Sequence, residues 1–269
     1  MRLAILLILC LVVGLMGCAK GKYRMQSPET YYEEAQTALG KEDCWMAEQL
    51  FRNLLSDFPG SHLVDDAQFG LAQSSYCSKD YVTSIFEYER LLDEHPASPF
   101  IDEARYQIGM CYYKESQSVH HDQEDTYKAI RVFGRFVEDY PRSNLVSDAD
   151  RRIKELQGKL ADHKLVIAEN YLRWKKPNSA EVYCEIILRE FPDAEAAPSV
   201  RFLLARIKRS LGNLDEAVEL LRFLAREDFS GELEEKVLKE IREVEQDLAK
   251  QKSSNPLSSQ KGRGEPGTR

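Results

Sequence analysis

The sequence predicts an all-α solenoid of stacked helix pairs, and two observations carry the prediction. Four prolines repeat one local pattern: Asp57-Phe58-Pro59, Glu94-His95-Pro96, Asp139-Tyr140-Pro141 and Glu190-Phe191-Pro192. Each follows an apolar segment of helical period and precedes a polar turn. A residue that lacks an N–H and has a preset φ ends one helix there and begins the next. Behind each proline, small and large apolar residues recur in a common register, the mark of a repeat rather than of one irregular core.

The elements follow in order. Arg2 gives a positive start, Leu3 to Val13 is an almost unbroken apolar run, and Leu15-Met16-Gly17-Cys18 closes it. So short a stretch reads as a secretory signal, residues 1–17, rather than a membrane span. Leu-x-Gly-Cys resembles the bacterial lipobox, which implies acylation of Cys18. Two or three acyl chains suffice for stable anchoring, since each buried CH₂ contributes about 0.8 kcal/mol. Ala19, not Asp, follows the cysteine, which by resemblance to lipoprotein sorting rules implies the outer membrane. Residues 18–28 are then a lipidated linker.

Residues 29–229 carry five repeats with tetratricopeptide spacing. The first uses Tyr31, Ala35, Ala47, Phe51, Leu54 and Pro59; the second uses Leu71, Ala72, Ser84, Tyr88, Leu91 and Pro96. The third places Ile108, Gly109 and Tyr112 on one helix and Ala129, Phe133, Phe136 and Pro141 on the next, with a long turn between Lys114 and Asp125. The fourth has Ile167, Ala168, Tyr171, Ala180, Cys184, Ile187 and Pro192. The fifth has Leu204, Ala205, Ala217, Leu221 and Leu224, with Phe229 where the proline should stand. Small residues fall where paired helices cross, because only they let the backbones approach. Arg142 to Leu160 exceeds an ordinary inter-repeat turn and leaves the angle between repeats three and four open.

Residues 230–250 read as a capping helix with the stripe Leu233, Val237, Ile241, Val244 and Leu248; a solenoid needs such a helix to cover its last repeat. Residues 251–269 are rich in Ser, Gly, Pro and charge and are expected to be disordered. The G-x-G-x-x-G at Gly262, Gly264 and Gly267 lacks the strand and helix that a phosphate cradle requires. The expected fold is thus an α-solenoid of five tetratricopeptide repeats with a C-terminal capping helix.

Chemistry is sparse. The net charge of −8 argues against nucleic acid, which needs clustered Lys and Arg. No catalytic grouping, metal-ligand spacing or cofactor motif is legible, and His120-His121-Asp122 reads as a solvated turn, so neither an enzyme, a metal nor a cofactor is expected. Cys44 opens the second helix of repeat one and Cys77 closes the first helix of repeat two, at one end of the array. A bridge between them stands as one possibility beside two thiols, in a compartment that tolerates disulfides.

Binding is the more informative theme. The fifth and twelfth positions of each first helix should face the concave side. In repeats one to three they supply Tyr32, Phe69, Tyr76, Tyr106 and Tyr113, with Gln36, Gln73 and Met110 between them. Aromatic rings bury much area at little rotamer cost, and glutamines can pair with an extended backbone. A peptide groove is therefore expected, against the plainer reading that the rings fill inter-repeat packing. Arg201, Arg206 and Arg209 are expected to form a basic face for partner docking.

The stretch ERLLDEHPASPFIDEARYQIGMCYY and the segment Arg151 to Trp174, with Leu160, Ala161, His163, Ile167, Ala168 and Tyr171, resemble the BamD (YfiO) family from about Tyr31 to Phe229. Lys164 and Asn170 depart from its usual pattern. The resemblance implies an outer-membrane lipoprotein, lipid-anchored and facing the periplasm. It implies a scaffold that docks a BamA-like barrel subunit with companion lipoproteins and receives the C-terminal signal strand of unfolded outer-membrane proteins. Secretin pilotins and envelope-constriction factors are also lipidated or exported repeat proteins, so an adaptor role is the alternative.

Overall fold

The computed structural model describes residues 26–116, 118–226 and 232–254. The signal segment, Cys18, Phe229 and the tail beyond residue 254 lie outside the described residues. Among those described there are eleven helices and no strand. The chain is an all-α tetratricopeptide protein, and it divides into two compact units, Met1–Glu87 and Tyr88–Arg269.

In the first unit, α1 (Pro28–Gly40) starts because Ser27 accepts from the Thr30 N–H and proline takes the first turn, where its missing N–H costs nothing. Helix α2 (Cys44–Asp57) is capped by Asp43, which accepts from Met46 N–H, and ends ahead of Pro59. Helix α3 (Val64–Cys77) follows, and α4 (Tyr81–Glu94) runs across the unit boundary. Ala35, Ala47, Phe51, Leu54, Ala67 and Leu71 form the core. A Cβ on Gly70 would lie 2.3 Å from the Phe51 ring, so this crossing of α2 and α3 needs a glycine. The Cys44 and Cys77 sulfurs are bonded, with Cα atoms 5.7 Å apart, which ties the start of α2 to the end of α3.

The second unit holds α5 (Ile101–Glu115), α6 (Glu124–Asp139), α7 (Val146–Arg173), α8 (Pro177–Glu190), α9 (Ala197–Ser210), α10 (Leu214–Leu224) and α11 (Glu232–Ser254). At the first crossing, a Cβ on Gly109 would meet the Phe133 ring at 2.6 Å. Between α5 and α6 the polar side chains are taken up locally: Asp122 accepts from Glu124 N–H at 2.7 Å and His121 Nδ1 pairs with Ser118 Oγ at 2.8 Å.

Most of the segment expected to be a long inter-repeat turn is helix. Helix α7 runs for 28 residues, about 42 Å at 1.5 Å per residue. No proline or glycine pair interrupts it. Its apolar positions Ala149 and Leu156 serve the core with α6, and Ala161 and Ala168 serve the core with α8. Toward the second half, His163 Nδ1 donates to the Val119 carbonyl at 2.5 Å, which fixes the long loop onto α7. The capping helix is longer than expected, reaching Ser254 rather than residue 250. Leu233, Val237, Ile241, Val244 and Leu248 pack onto α10 as the stripe requires.

Candidate peptide-binding faces

In the first unit the Tyr32 ring stands edge-on to Phe51, centroids 6.0 Å apart, and its hydroxyl accepts from Gln36 Nε2 at 3.1 Å. Burial first, and then the Asp66 carboxylate, push the Tyr32 phenol upward. Gln36 is exposed, and Gln73 and Tyr76 are half-buried. Tyr76 meets Tyr81 edge-on at 5.2 Å. Phe69 differs: only 6% of it is exposed. It is a core residue, so the packing reading holds for it and the groove reading does not.

In the second unit Tyr106 is likewise only 7% exposed, its ring held between Phe133 and Phe136 at 5.5 and 5.7 Å. Its hydroxyl donates to Asp148. Burial, and then that carboxylate, push the phenol up to about 12; the same hydrogen bond is the main cause holding Asp148 below the usual carboxylate range. Tyr113 donates to Glu155 at 3.0 Å and lies 4.6 Å beneath the Arg152 guanidinium. Arg151 bonds Asp148 and, at 2.6 Å, Glu155. Met110 packs into the same cluster. The first half of α7 therefore lays a charged ladder, Asp148-Arg151-Arg152-Glu155, against the α5 aromatics. Its i, i+3 and i+4 spacing was readable in the sequence, but its partner was not.

The three C-terminal arginines do not form one face. Arg209 is spent inside the fold: it holds Glu240 at 2.9 Å, Glu243 at 2.7 Å and Asp247 at 2.7 Å, all on α11. Arg201 lies over the Phe223 ring at 5.0 Å. Arg206 is exposed. Helical period turns Arg206 about 140° away from Arg201, while Arg201 and Arg209 stand more than two turns apart, one against α10 and the other against α11. Arg209→Ala leaves three carboxylates of α11 facing one another. It is expected to cost about 1–2 kcal/mol and to speed amide exchange in α11; unaltered exchange there would refute the anchoring role. Acid should act the same way. Hydrogen bonds to Arg209 hold Glu243 and Asp247 below their ordinary range. Their contribution is complete above that range and is lost as pH falls through the lowered values.

Cys111 and Cys184 are buried, and burial pushes the Cys184 thiol up to about 12. Both read as packing residues. No helix among the described residues is long and apolar enough to cross a membrane.

A family model described as YfiO, outer membrane lipoprotein, matches residues 24–221. This chain belongs to that family. The YfiO match covers α1 to α9 and most of α10, and stops before α11, the helix that Arg209 secures. Among curated YfiO relatives, an outer membrane protein assembly factor BamD of Rickettsia prowazekii is 26% identical over 222 residues, spanning 81% of this chain and 88% of that protein. The BamD of Vibrio cholerae is 27% identical over 202 residues, 71% and 83% respectively. Among solved structures, the TPR2AB domain of yeast Sti1 is 14% identical with a TM-score of 0.43, covering 75% of this chain and 77% of that one.

Proposed function

We propose that this chain is a lipid-anchored scaffold of outer-membrane β-barrel assembly, a binding protein and not a catalyst. The family match over residues 24–221, with BamD relatives along most of the chain, is the observation that carries the reading. Cys18 is the acylated residue. The partners are a BamA-like barrel subunit, companion lipoproteins and the C-terminal signal strands of unfolded outer-membrane proteins.

The residues left to hold such a strand are narrower than the sequence suggests. Phe69 and Tyr106 serve the core, so Tyr32, Gln36, Gln73 and Tyr76 in the first unit are the proposed peptide contacts; Met110 and Tyr113 are a separate candidate face within the second unit. Arg206, the exposed member of its set, is the remaining candidate for partner docking.

The first experiment is recovery of the acylated protein from detergent-solubilised membranes with identification of what it retains. A barrel subunit with periplasmic repeat domains is expected; a secretin or division proteins in its place would overturn the assembly role. For the strand contact, Gln36→Ala combined with Gln73→Ala should weaken binding of an amphipathic peptide ending in an aromatic by about tenfold, the loss of two modest hydrogen bonds. Helicity should not change. Equal affinity of the double variant would remove these glutamines from the site.

A further inference from the structure

The helix-to-helix turns of the repeats invite comparison position by position. Lys41-Glu42-Asp43, Ser78-Lys79-Asp80, Trp174-Lys175-Lys176 and Leu211-Gly212-Asn213 occupy equivalent places. The middle residue always has positive φ: 59° at Glu42, 61° at Lys79, 57° at Lys175 and 84° at Gly212. The third residue opens the next helix. Asp43 and Asp80 accept from the N–H groups of Met46 and Thr83, and Asn213 is also a residue type that favours this place.

The turn between α7 and α8 departs from this pattern at its third residue. Lys176 stands at the helix start and makes no side-chain cap, where its charge opposes the helix dipole. Lys175 takes the positive-φ position beside it, as Glu42 and Lys79 do in their turns. Trp174 is 63% exposed. Its ring is nevertheless held in place, edge-on to Tyr171 at 5.6 Å, and Tyr171 is stacked on Tyr183 at 5.6 Å. From Asn170 to Ala180 there are three cations, Arg173, Lys175 and Lys176, and no carboxylate, in a chain whose net charge is −8. Arg173 bonds Asn170 Oδ1 at 2.7 Å. Neither Lys175 nor Lys176 has an ion-pair partner among the described residues. A lysine at a helix start, beside an exposed indole and a second unpaired lysine, is a local choice that folding does not explain, and such choices commonly mark a function.

We infer that the Trp174–Lys176 turn is an interfacial contact, laying this part of the second unit on the anionic phospholipid headgroups of the membrane that carries the protein. An indole with tyrosines behind it suits the headgroup level, where an amphipathic ring finds both an apolar and a wet side. The lysines supply the attraction to lipid phosphate, about fivefold in surface affinity each. One ring and three cations hold a free protein poorly. A chain already tethered to the bilayer makes this second contact at high effective concentration. The inference rests on the membrane attachment proposed above.

The chain has two tryptophans, so Trp45→Phe in the full acylated protein leaves Trp174 as sole reporter. Trp45 is itself exposed, and circular dichroism checks that the variant folds. The protein is reconstituted into vesicles of phosphatidylethanolamine with phosphatidylglycerol, or of phosphatidylcholine alone, each containing brominated lipid. Blue-shifted, quenched Trp174 emission is expected in the anionic vesicles. It should return toward the neutral-vesicle value when Lys175→Glu and Lys176→Glu are added. Water-like emission from protein that floats with anionic vesicles overturns the contact, and so does protection that appears only when another protein is added. Equal quenching in both vesicle types, unchanged by charge reversal, overturns the headgroup reading. Failure to float at all overturns the anchor at Cys18, and this contact with it.

Discussion

Reduction of the Cys44–Cys77 bridge destabilises the N-terminal unit by about 3–4 kcal/mol, the chain-entropy value for a loop of this size. The two cysteines are separated by 33 residues, and that span contains all of α2, the following turn and nearly all of α3. Without the bridge, the unfolded chain regains the freedom to separate these helices. The unit's core of alanines, leucines, Phe51 and Phe69 is the same with and without the bridge, so the difference reports the cross-link. Thermal unfolding of the N-terminal unit in oxidised and reduced protein, followed by circular dichroism, should differ by more than about 10 °C. Cys44→Ser with Cys77→Ser should match the reduced form. The outcome that would sink this is a coincident pair of melting curves, with Cys44 and Cys77 both alkylated in the denatured, unreduced protein.

The second large effect lies in the other unit. Phe133→Ala is expected to cost about 3–5 kcal/mol, since the ring is fully buried and its removal leaves a cavity. Gly109→Ala inserts a methyl 2.6 Å from that ring. Overpacking costs about 1–3 kcal/mol, offset by about 1 kcal/mol of helix propensity, so the single change is neutral to modestly destabilising. Together the two changes should be strongly non-additive. With the ring gone, the added methyl meets no clash, keeps its helical gain and fills part of the cavity. Denaturant unfolding of the four proteins closes the cycle. Strict additivity would mean that the Gly109 approach does not constrain this crossing.

These two sites show what the sequence can disclose. Gly109, Phe133 and the alanines of each crossing stand at fixed intervals from a proline, and interval is a property of the chain alone. The small residues and the large residues they face were therefore legible in advance, as was the stripe of the last helix. The candidate groove was legible only in part. Helical period places Tyr32, Phe69 and Tyr106 on a given side of their own helices but says nothing about what covers that side. For Tyr106 the rings of Phe133 and Phe136 cover the side chain, and its hydroxyl is taken by Asp148, 42 residues later, within a stretch that reads as a connection. Arg209 misled for the same reason: three carboxylates 31 to 38 residues downstream neutralise a charge that looks available when α9 is read alone.

The 28-residue helix α7 has a consequence for how the family can vary. Elsewhere, a residue gained or lost in a turn is absorbed by the turn. Inside α7 there is nothing to absorb it. One inserted residue would rotate everything beyond it by about 100° and advance it by about 1.5 Å, so Ala161 and Ala168 would leave the α8 crossing while Ala149 and Leu156 kept theirs. The two hairpins that share this rod are thus locked in phase with each other. Length changes in this part of the chain are therefore expected in its loops, with the interval between Ala149 and Ala168 kept as a fixed dimension of the protein.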